Sequence, residues 1–277
     1  MPNHRIIMLF LLSIPLYCQG VAASDILKEQ RWASQLADGL VVGEAVRLKV
    51  GPREVFAIYT PAVTVARRGG VILLHGMGAH PDWPEVIAPL RRELPEAGWT
   101  TLSIQMPILD NEAEMARYLP LFPESYERIA AAIAYLQAQG IHNIVLIGHS
   151  LGAAMGAAYL AAGNAESHAV RAFVGIGMNQ YTDPQAPAHT PTSLAKLTIP
   201  VLDLYGALDN AGVRASAQAR ALAAKKAGNE AYLQVEMPGA DHFFRGLDRG
   251  LVRRVGSWLR RNAPAVELKL APAPPAP

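Results

Sequence analysis

The sequence predicts an α/β fold in which a doubly wound, mostly parallel sheet follows an antiparallel N-terminal hairpin. Three observations predict this class. Short apolar runs alternate with longer helical segments. A turn at Gly51-Pro52 separates two strand-like runs. Hydrophobic residues make up 51% of the 277-residue chain, so a large buried core is possible.

The apolar runs have the composition of strands that are buried on both faces of a parallel sheet. After a polar, weakly helical lead-in at 24–39, the hairpin strands are predicted at 40–50 and 54–60. Further strands are predicted at 71–74, 100–104, 143–147, 172–176, 200–205 and 231–236. Helices are predicted between and after them, at 84–97, 123–139, 151–162, 213–227 and 247–262. This alternation predicts parallel strands joined by crossover helices.

Residues 1–23 have the parts of a secretory signal peptide: a short positive start, an apolar run and the small residues Val21-Ala22-Ala23. Cleavage after Ala23 would start the mature chain at Ser24 and remove Cys18, the only cysteine. We therefore expect a periplasmic or secreted protein with no stable membrane insertion after cleavage. The alternative is an uncleaved N-terminal anchor, although the apolar run is short for a membrane span.

Residues 24–262 are predicted to form the folded domain, and the Pro- and Ala-rich segment 263–277 a disordered tail. Two segments, 105–122 and 178–196, are longer than ordinary loops, and each follows a predicted strand. They should rise from the carboxyl edge of the sheet, where ligands bind in open α/β folds. Each is a candidate lid or pocket wall, or else a surface loop without a role.

The strongest chemical motif is Gly148-His149-Ser150-Leu151-Gly152, between the predicted strand 143–147 and the Ala-rich helix 151–162. In this context the motif predicts a nucleophile elbow, a sharp turn that holds the serine in a strained backbone conformation above the sheet edge. Glycines flank the serine because a Cβ there would collide with a neighbouring element. Ser150 is therefore the candidate nucleophile.

A serine hydroxyl needs a base, and the base needs an orienting acid. In this type of fold the chain order is Ser, then Asp or Glu, then His. Among the histidines that follow Ser150, His242 has the base position, because it comes after the last predicted strand. His168 precedes a strand, and nothing local fixes His189 in its Pro-rich loop.

For the acid, Asp209 is preferred, because it follows the strand predicted at 200–205. Asp203 should lie within that strand and point into the sheet packing, and Asp241 is too close to His242 in a tight loop. Asp183 is a further competitor.

Backbone N–H donors are expected to bind the oxyanion that develops during acyl transfer. One is the amide of Leu151, directly after the nucleophile. The other is predicted in the turn His75-Gly76-Met77-Gly78, with Met77 as the donor and its side chain free to line a pocket.

The ordered set of the turn at 75–78, the elbow at 148–152, Gly206-Ala207-Leu208-Asp209 and Asp241-His242 resembles the α/β-hydrolase superfamily of serine hydrolases, over about residues 40–262. The signal peptide and the segment 75–89 are similar to a bacterial group of exported α/β-hydrolase-like proteins of unassigned function. Some proteins similar to this group lack the elbow serine, whereas this chain has it.

Other residues near these motifs have two interpretations. His80, Asp82 and Trp83 could shape a substrate pocket, but Asp82 with Pro84 is more typical of a helix N-cap followed by a first-turn proline. Aromatic side chains could line a pocket or pack in the core; the candidates are Phe122, Tyr181 and Phe243. No metal-binding set, phosphate loop or dinucleotide motif is visible, so we expect neither a metal nor a cofactor.

The predicted function is hydrolysis of a small-molecule carboxylic ester through an acyl-enzyme. A thioesterase or peptidase would use the same triad, and a non-catalytic envelope binding protein could retain the fold. The formal net charge of +2, with scattered Lys and Arg, indicates neither a nucleic-acid partner nor an anionic membrane surface.

Overall fold

The computed structural model describes residues 24–181 and 183–264. The predicted signal peptide (1–23) lies outside the described residues, as does the predicted tail from residue 265 onward. None of the helices within the described ranges is long and apolar enough to span a bilayer.

One eight-stranded sheet forms the centre of the fold, with the order β1-β2-β4-β3-β5-β6-β7-β8. β1 pairs with β2, and β2 with β4, in antiparallel register, whereas the strands from β4 to β8 in this order are parallel. The predicted mixed sheet with an antiparallel N-terminal hairpin is confirmed. The strands are β1 (Glu44–Val50), β2 (Arg53–Thr60), β3 (Gly69–Leu74), β4 (Trp99–Ile104), β5 (Ile144–His149), β6 (Val170–Ile176), β7 (Val201–Leu208) and β8 (Tyr232–Asp241).

Helices cover both faces of the sheet, because the central strands are buried on both sides. One apolar core lies under α4 and α5, and a second lies under α2 and α8. The helices are α1 (Ile26–Asp38), α2 (Ile87–Glu93), α3 (Met115–Tyr118), α4 (Phe122–Ala138), α5 (Leu151–Ala162), α6 (Thr190–Leu194), α7 (Ala211–Lys226) and α8 (Asp248–Asn262).

The segment predicted as a loop at 105–122 is partly built into the core. Met106 and Ile108 are fully buried, and the segment includes the short helix α3. Phe122, the first residue of α4, is 1% exposed and packs in the core. Of its two predicted roles, core packing is therefore correct and pocket lining is wrong. The segment is therefore anchored along its first part by apolar burial.

The expectation that Asp82 caps the next helix is wrong. That helix, α2, begins at Ile87, its cap residue is Val86, and no side chain caps it. Asp82 instead pairs with Arg91, whose guanidinium is completely buried, at 2.7 Å, and with Arg92 at 2.6 Å. Burying an arginine without a partner is strongly unfavourable, so the Asp82 carboxylate pairs with Arg91 rather than with the helix end.

Candidate active site

The turn between β5 and α5 has the geometry of a nucleophile elbow. Ser150 has φ 53° and ψ −119°, one of the few positive φ values of a non-glycine residue among the described residues. Its N–H donates to the carbonyl of Ile176 at 2.8 Å, which ties the elbow to β6. A Cβ on Gly148 would lie 2.5 Å from Cα of Ala153, and one on Gly152 would collide with the carbonyls of Leu74 and His75. Both flanking glycines are therefore required by backbone packing.

Three side chains from separate strand ends meet at this turn. Nε2 of His242 lies 3.0 Å from Oγ of Ser150. Nδ1 of His242 lies 2.6 Å from Oδ1 of Asp209. Asp209 and His242 are buried, at 3% and 7% exposure. The structure thus brings the candidate nucleophile, base and acid into one hydrogen-bonded chain.

The carboxylate of Asp209 is held in its charged form. Burial acts to raise its pKa, but the hydrogen bond and charge of His242, together with the N–H groups of Gly206 and Asn210, outweigh burial and lower the pKa. Those N–H groups lie 3.2 and 2.7 Å from its oxygens. A fixed carboxylate at Nδ1 directs the other ring nitrogen toward the serine.

The competing acids have other partners. Asp203 is fully buried, as expected, and pairs with Arg220 at 2.7 Å. Asp241 accepts hydrogen bonds from the N–H groups of Phe243 and Arg245, at 3.0 and 3.1 Å, so it shapes the turn that carries His242.

Of the competing bases, His168 lies in a short 3₁₀ segment before β6. His189 caps α6, where its side chain accepts a hydrogen bond from Thr192 N–H. Neither is positioned near Ser150 by these contacts.

Two residues that contact His242 were not singled out from the sequence. Nε2 of His149 lies 2.9 Å from the backbone carbonyl of His242, and the two rings lie 4.9 Å apart. Gly177, after β6, has φ 57°, and a Cβ there would lie 3.0 Å from the His242 ring and 3.4 Å from Asp209 Oδ2. The only sequence signal for His149 is its position next to the serine, and Gly177 carries none beyond following a strand.

The expected oxyanion donors belong to two segments next to Ser150, the start of α5 and the turn after β3. Leu151 is the first residue of α5, and within the described residues neither its N–H nor that of Met77 donates to a protein acceptor. The turn of Met77 approaches the serine closely, since a Cβ on Gly76 would lie 3.2 Å from Cβ of Ser150. The Met77 side chain is half exposed. Two N–H groups thus remain available for an oxyanion.

His75 fixes the shape of this turn from behind. Its Nε2 accepts a hydrogen bond from Met106 N–H at 2.9 Å, so the ring proton is on Nδ1, which donates to the Gly76 carbonyl at 2.9 Å. Burial lowers the pKa of His75 to about 3 and that of His149 to about 4, so both rings are neutral near pH 7.

Aromatic side chains lie near the Met77 turn and around His242. His80 packs edge-on against Trp83 and against Trp32 of α1, with ring centroids 5.2 and 5.1 Å apart. Phe243 packs against His242, with ring centroids 5.2 Å apart, and Tyr181 is partly buried against the core.

A cavity of about 860 Å³ lies away from the triad, between α1, the hairpin and α4. Across the described parts of the chain, no cluster of three or more His, Cys, Asp or Glu side chains could hold a metal ion.

Comparison with solved structures shows that the chain has a known fold. At 17% identity and a TM-score of 0.61, Est1E from Butyrivibrio proteoclasticus covers 79% of this chain with 98% of its own length. A dienelactone hydrolase from Anabaena variabilis is 20% identical with a TM-score of 0.59, over 80% of this chain and 98% of its own. The protein XC6422 from Xanthomonas campestris, described as an α/β serine hydrolase without lid, is 18% identical with a TM-score of 0.58, over 82% and 97%.

These similarities establish the α/β-hydrolase fold for this chain. No curated protein matches its sequence. The model of a protein family of unknown function, DUF3530, matches residues 24–120 and 121–261. The chain therefore belongs to the DUF3530 family, a group of unassigned function whose member described here has the α/β-hydrolase fold.

Proposed function

We propose that the protein is a serine hydrolase that cleaves a carboxylic ester through an acyl-enzyme. The observation that carries this proposal is the hydrogen-bonded chain from Ser150 through His242 to Asp209, with distances of 3.0 and 2.6 Å. The backbone of Ser150, at φ 53°, supports the proposal, because this conformation is unfavourable for residues with a Cβ and is typical of the serine in a nucleophile elbow.

In the proposed reaction, Oγ of Ser150 attacks the ester carbonyl carbon while Nε2 of His242 takes the hydroxyl proton. The tetrahedral intermediate collapses to an acyl-serine, and the leaving alcohol receives the proton from His242. Water then attacks the acyl carbon, again with His242 as base, and the carboxylic acid leaves as Ser150 is restored. Asp209 holds the imidazole in the required tautomer and stabilises its charged form.

The N–H groups of Met77 and Leu151 would donate to the carbonyl oxygen as it becomes negative. Such donors are worth about 10²- to 10³-fold in rate each, because they are fixed before the reaction. His75 supports the Met77 donor by holding the Gly76 carbonyl at 2.9 Å.

Ester substrates are favoured by the relatives in fold. One comparison structure is Est1E with bound ferulic acid, and others are dienelactone hydrolases and fungal esterases from Rhizomucor miehei. We also propose that the protein is exported and cleaved after Ala23, since residues 1–23 have the composition of a signal peptide.

A fluorophosphonate probe tests the enzymatic proposal. We expect the probe to label wild-type protein, with labelling abolished in Ser150→Ala and strongly reduced in His242→Ala. Ser34→Ala, at an exposed position of α1, is the matched control and should label normally. Folded wild-type protein that stays unlabelled would favour a non-catalytic binding protein instead.

A panel of short- and long-chain p-nitrophenyl esters then measures substrate preference. Ser150→Ala should lower kcat by about 10⁴-fold or more. A parallel panel of thioesters and peptides separates an esterase from a thioesterase or peptidase with the same triad.

A further inference from the structure

A buried ionic cluster lies where α1 meets α4, away from the triad. Arg128 is 1% exposed and contacts Glu29 at 3.0 Å and Glu124 at 2.5 Å. Its Nη1 also donates to the carbonyl of Gln105 at 3.0 Å. Ser24 is 6% exposed and belongs to this cluster.

Ser24 binds Glu124 through two atoms. Its backbone N lies 3.2 Å from Oε2, and its hydroxyl donates to Oε1 at 2.7 Å. The same hydroxyl accepts a hydrogen bond from Nη2 of Arg128 at 2.9 Å. The backbone N–H and the hydroxyl of Ser24 therefore bind both oxygens of the Glu124 carboxylate.

Among the described residues, the cluster has two carboxylates and one paired cation, because Glu29 and Glu124 both pair with Arg128. Burial raises the pKa of Glu29, which Arg128 only partly offsets. Burial also acts to raise the pKa of Glu124, but Arg128 and the hydrogen bonds of Ser24 outweigh it and lower the pKa. An additional cation beside Glu124 would balance the charge of the cluster.

We infer that Glu124 is the binding site for a free α-ammonium group on Ser24, generated by removal of the segment that precedes it. Hydrolysis of the Ala23–Ser24 peptide bond consumes one water, leaves a carboxylate on Ala23 and gives Ser24 an amine that is protonated near pH 7. An uncharged N–H then becomes a cation at the position that already faces Oε2. The cleaved terminus completes the cluster, whereas an uncleaved chain presents only an amide.

This ion pair would fasten the start of the folded chain to the segment that supports the active-site turn. Ile108 N–H donates to Glu29 at 3.3 Å, and Asp25 N–H donates to the Ile108 carbonyl at 2.7 Å. Met106, two residues earlier, binds His75. The α-ammonium of Ser24 thus stabilises α1 and the 105–109 segment together.

The inference rests on the proposed cleavage after Ala23 and is independent of the proposed hydrolase activity, because its readout is unfolding. Two chains are prepared, one starting at Ser24 and one retaining Ala22-Ala23, and the intact mass of each is measured. The chain from Ser24 should have a Tm higher by about 2–8 °C, because the ion pair is only partly buried and is partly screened by solvent. The difference should nearly vanish in a Glu124→Gln pair and persist in a Glu127→Gln pair, an exposed position one turn away.

If Glu124→Gln does not fold, the reactivity of the α-amine tests the inference in the wild-type chains. Acetic anhydride should acylate the α-amine of Ser24 more slowly than that of Ala22 in the extended chain, because the former is buried and paired. Protein isolated after export should have the mass of a chain that starts at Ser24. Equal Tm values in the wild-type pair, equal acylation rates, or a different exported terminus would each overturn the inference. Fluorophosphonate labelling of both chains reports separately on the hydrolase proposal.

Discussion

Nε2 of His149 lies 2.9 Å from the backbone carbonyl oxygen of His242. The residue that precedes the candidate nucleophile therefore holds the loop that carries the candidate base. Because a carbonyl oxygen only accepts, the ring proton of His149 must be on Nε2. The elbow therefore carries Ser150 and also positions His242 through His149.

This hydrogen bond predicts different outcomes for two substitutions of His149. Gln carries an amide N–H at a similar reach, so His149→Gln should retain fluorophosphonate labelling within about threefold. His149→Leu cannot donate, so the His242 loop should shift and the labelling rate should fall by about tenfold or more. The rates are compared in protein whose near-UV circular dichroism matches the wild type. Equal rates in both variants would contradict a positioning role.

The two buried neutral histidines predict a loss of stability in mild acid. In the unfolded chain a histidine binds a proton near pH 6.5, whereas folded His149 and His75 resist protonation down to about pH 4 and about pH 3. Their contribution is therefore fully present above pH 6.5 and falls as the pH drops toward these values. Each should lower the free energy of unfolding by up to about 1.4 kcal/mol per pH unit in that window.

Urea unfolding between pH 7 and pH 5 measures this slope. His149→Gln should have a flatter pH dependence than wild type, since glutamine does not titrate. Asp209 acts in a lower window, because its pKa is already below the usual value and its contribution is lost only on protonation in stronger acid. A slope unchanged by the substitution would show that His149 takes up its proton at the same pH in the folded and unfolded states, and would contradict the lowered pKa.

Replacing Gly177 with alanine should lower activity by crowding His242, and this effect can be separated from backbone strain. In Gly177→Ala the new Cβ would lie 3.0 Å from the His242 ring, so the imidazole should move from its place between Ser150 and Asp209. We expect the labelling rate to fall by about tenfold or more. The matched control is Gly163→Ala, which has a similar φ of 69° but no atom within 4 Å of its Cβ. Both variants should lose about 1–2 kcal/mol of stability from the left-handed backbone, and only the first should lose activity.

The two acids beside His242 predict opposite results. Asp209→Asn removes the carboxylate at 2.6 Å from Nδ1 and should lower kcat for a p-nitrophenyl ester by about 10³- to 10⁴-fold. Asp241→Asn keeps an oxygen that can accept the N–H groups of the turn, so its kcat should stay within about fivefold. Comparable losses in both variants would assign the orienting role to the turn rather than to Asp209.

Local sequence signals predicted the architecture and most of the candidate site. The boundaries of α5 were predicted without error, and Ser150, Asp209 and His242 were all placed at strand ends that meet in the structure. These features depend on the pattern of apolar residues and on turn chemistry, which neighbouring residues encode. The prediction that Asp82 caps the next helix was wrong, because a local capping preference takes no account of the buried Arg91, which pairs with Asp82.

The sequence by itself determined the strands and the longer helices, their order along the chain, and the residue types that stand at the carboxyl edge of the sheet. Only the tertiary structure decided which side chains touch across long separations. Examples are the approach of Gly177 to His242, the bond from His149 to the His242 carbonyl, and the contact of Ser24 with Glu124. The physical reason is that a local pattern fixes a residue's conformation and face, whereas its partner depends on how whole helices and strands pack.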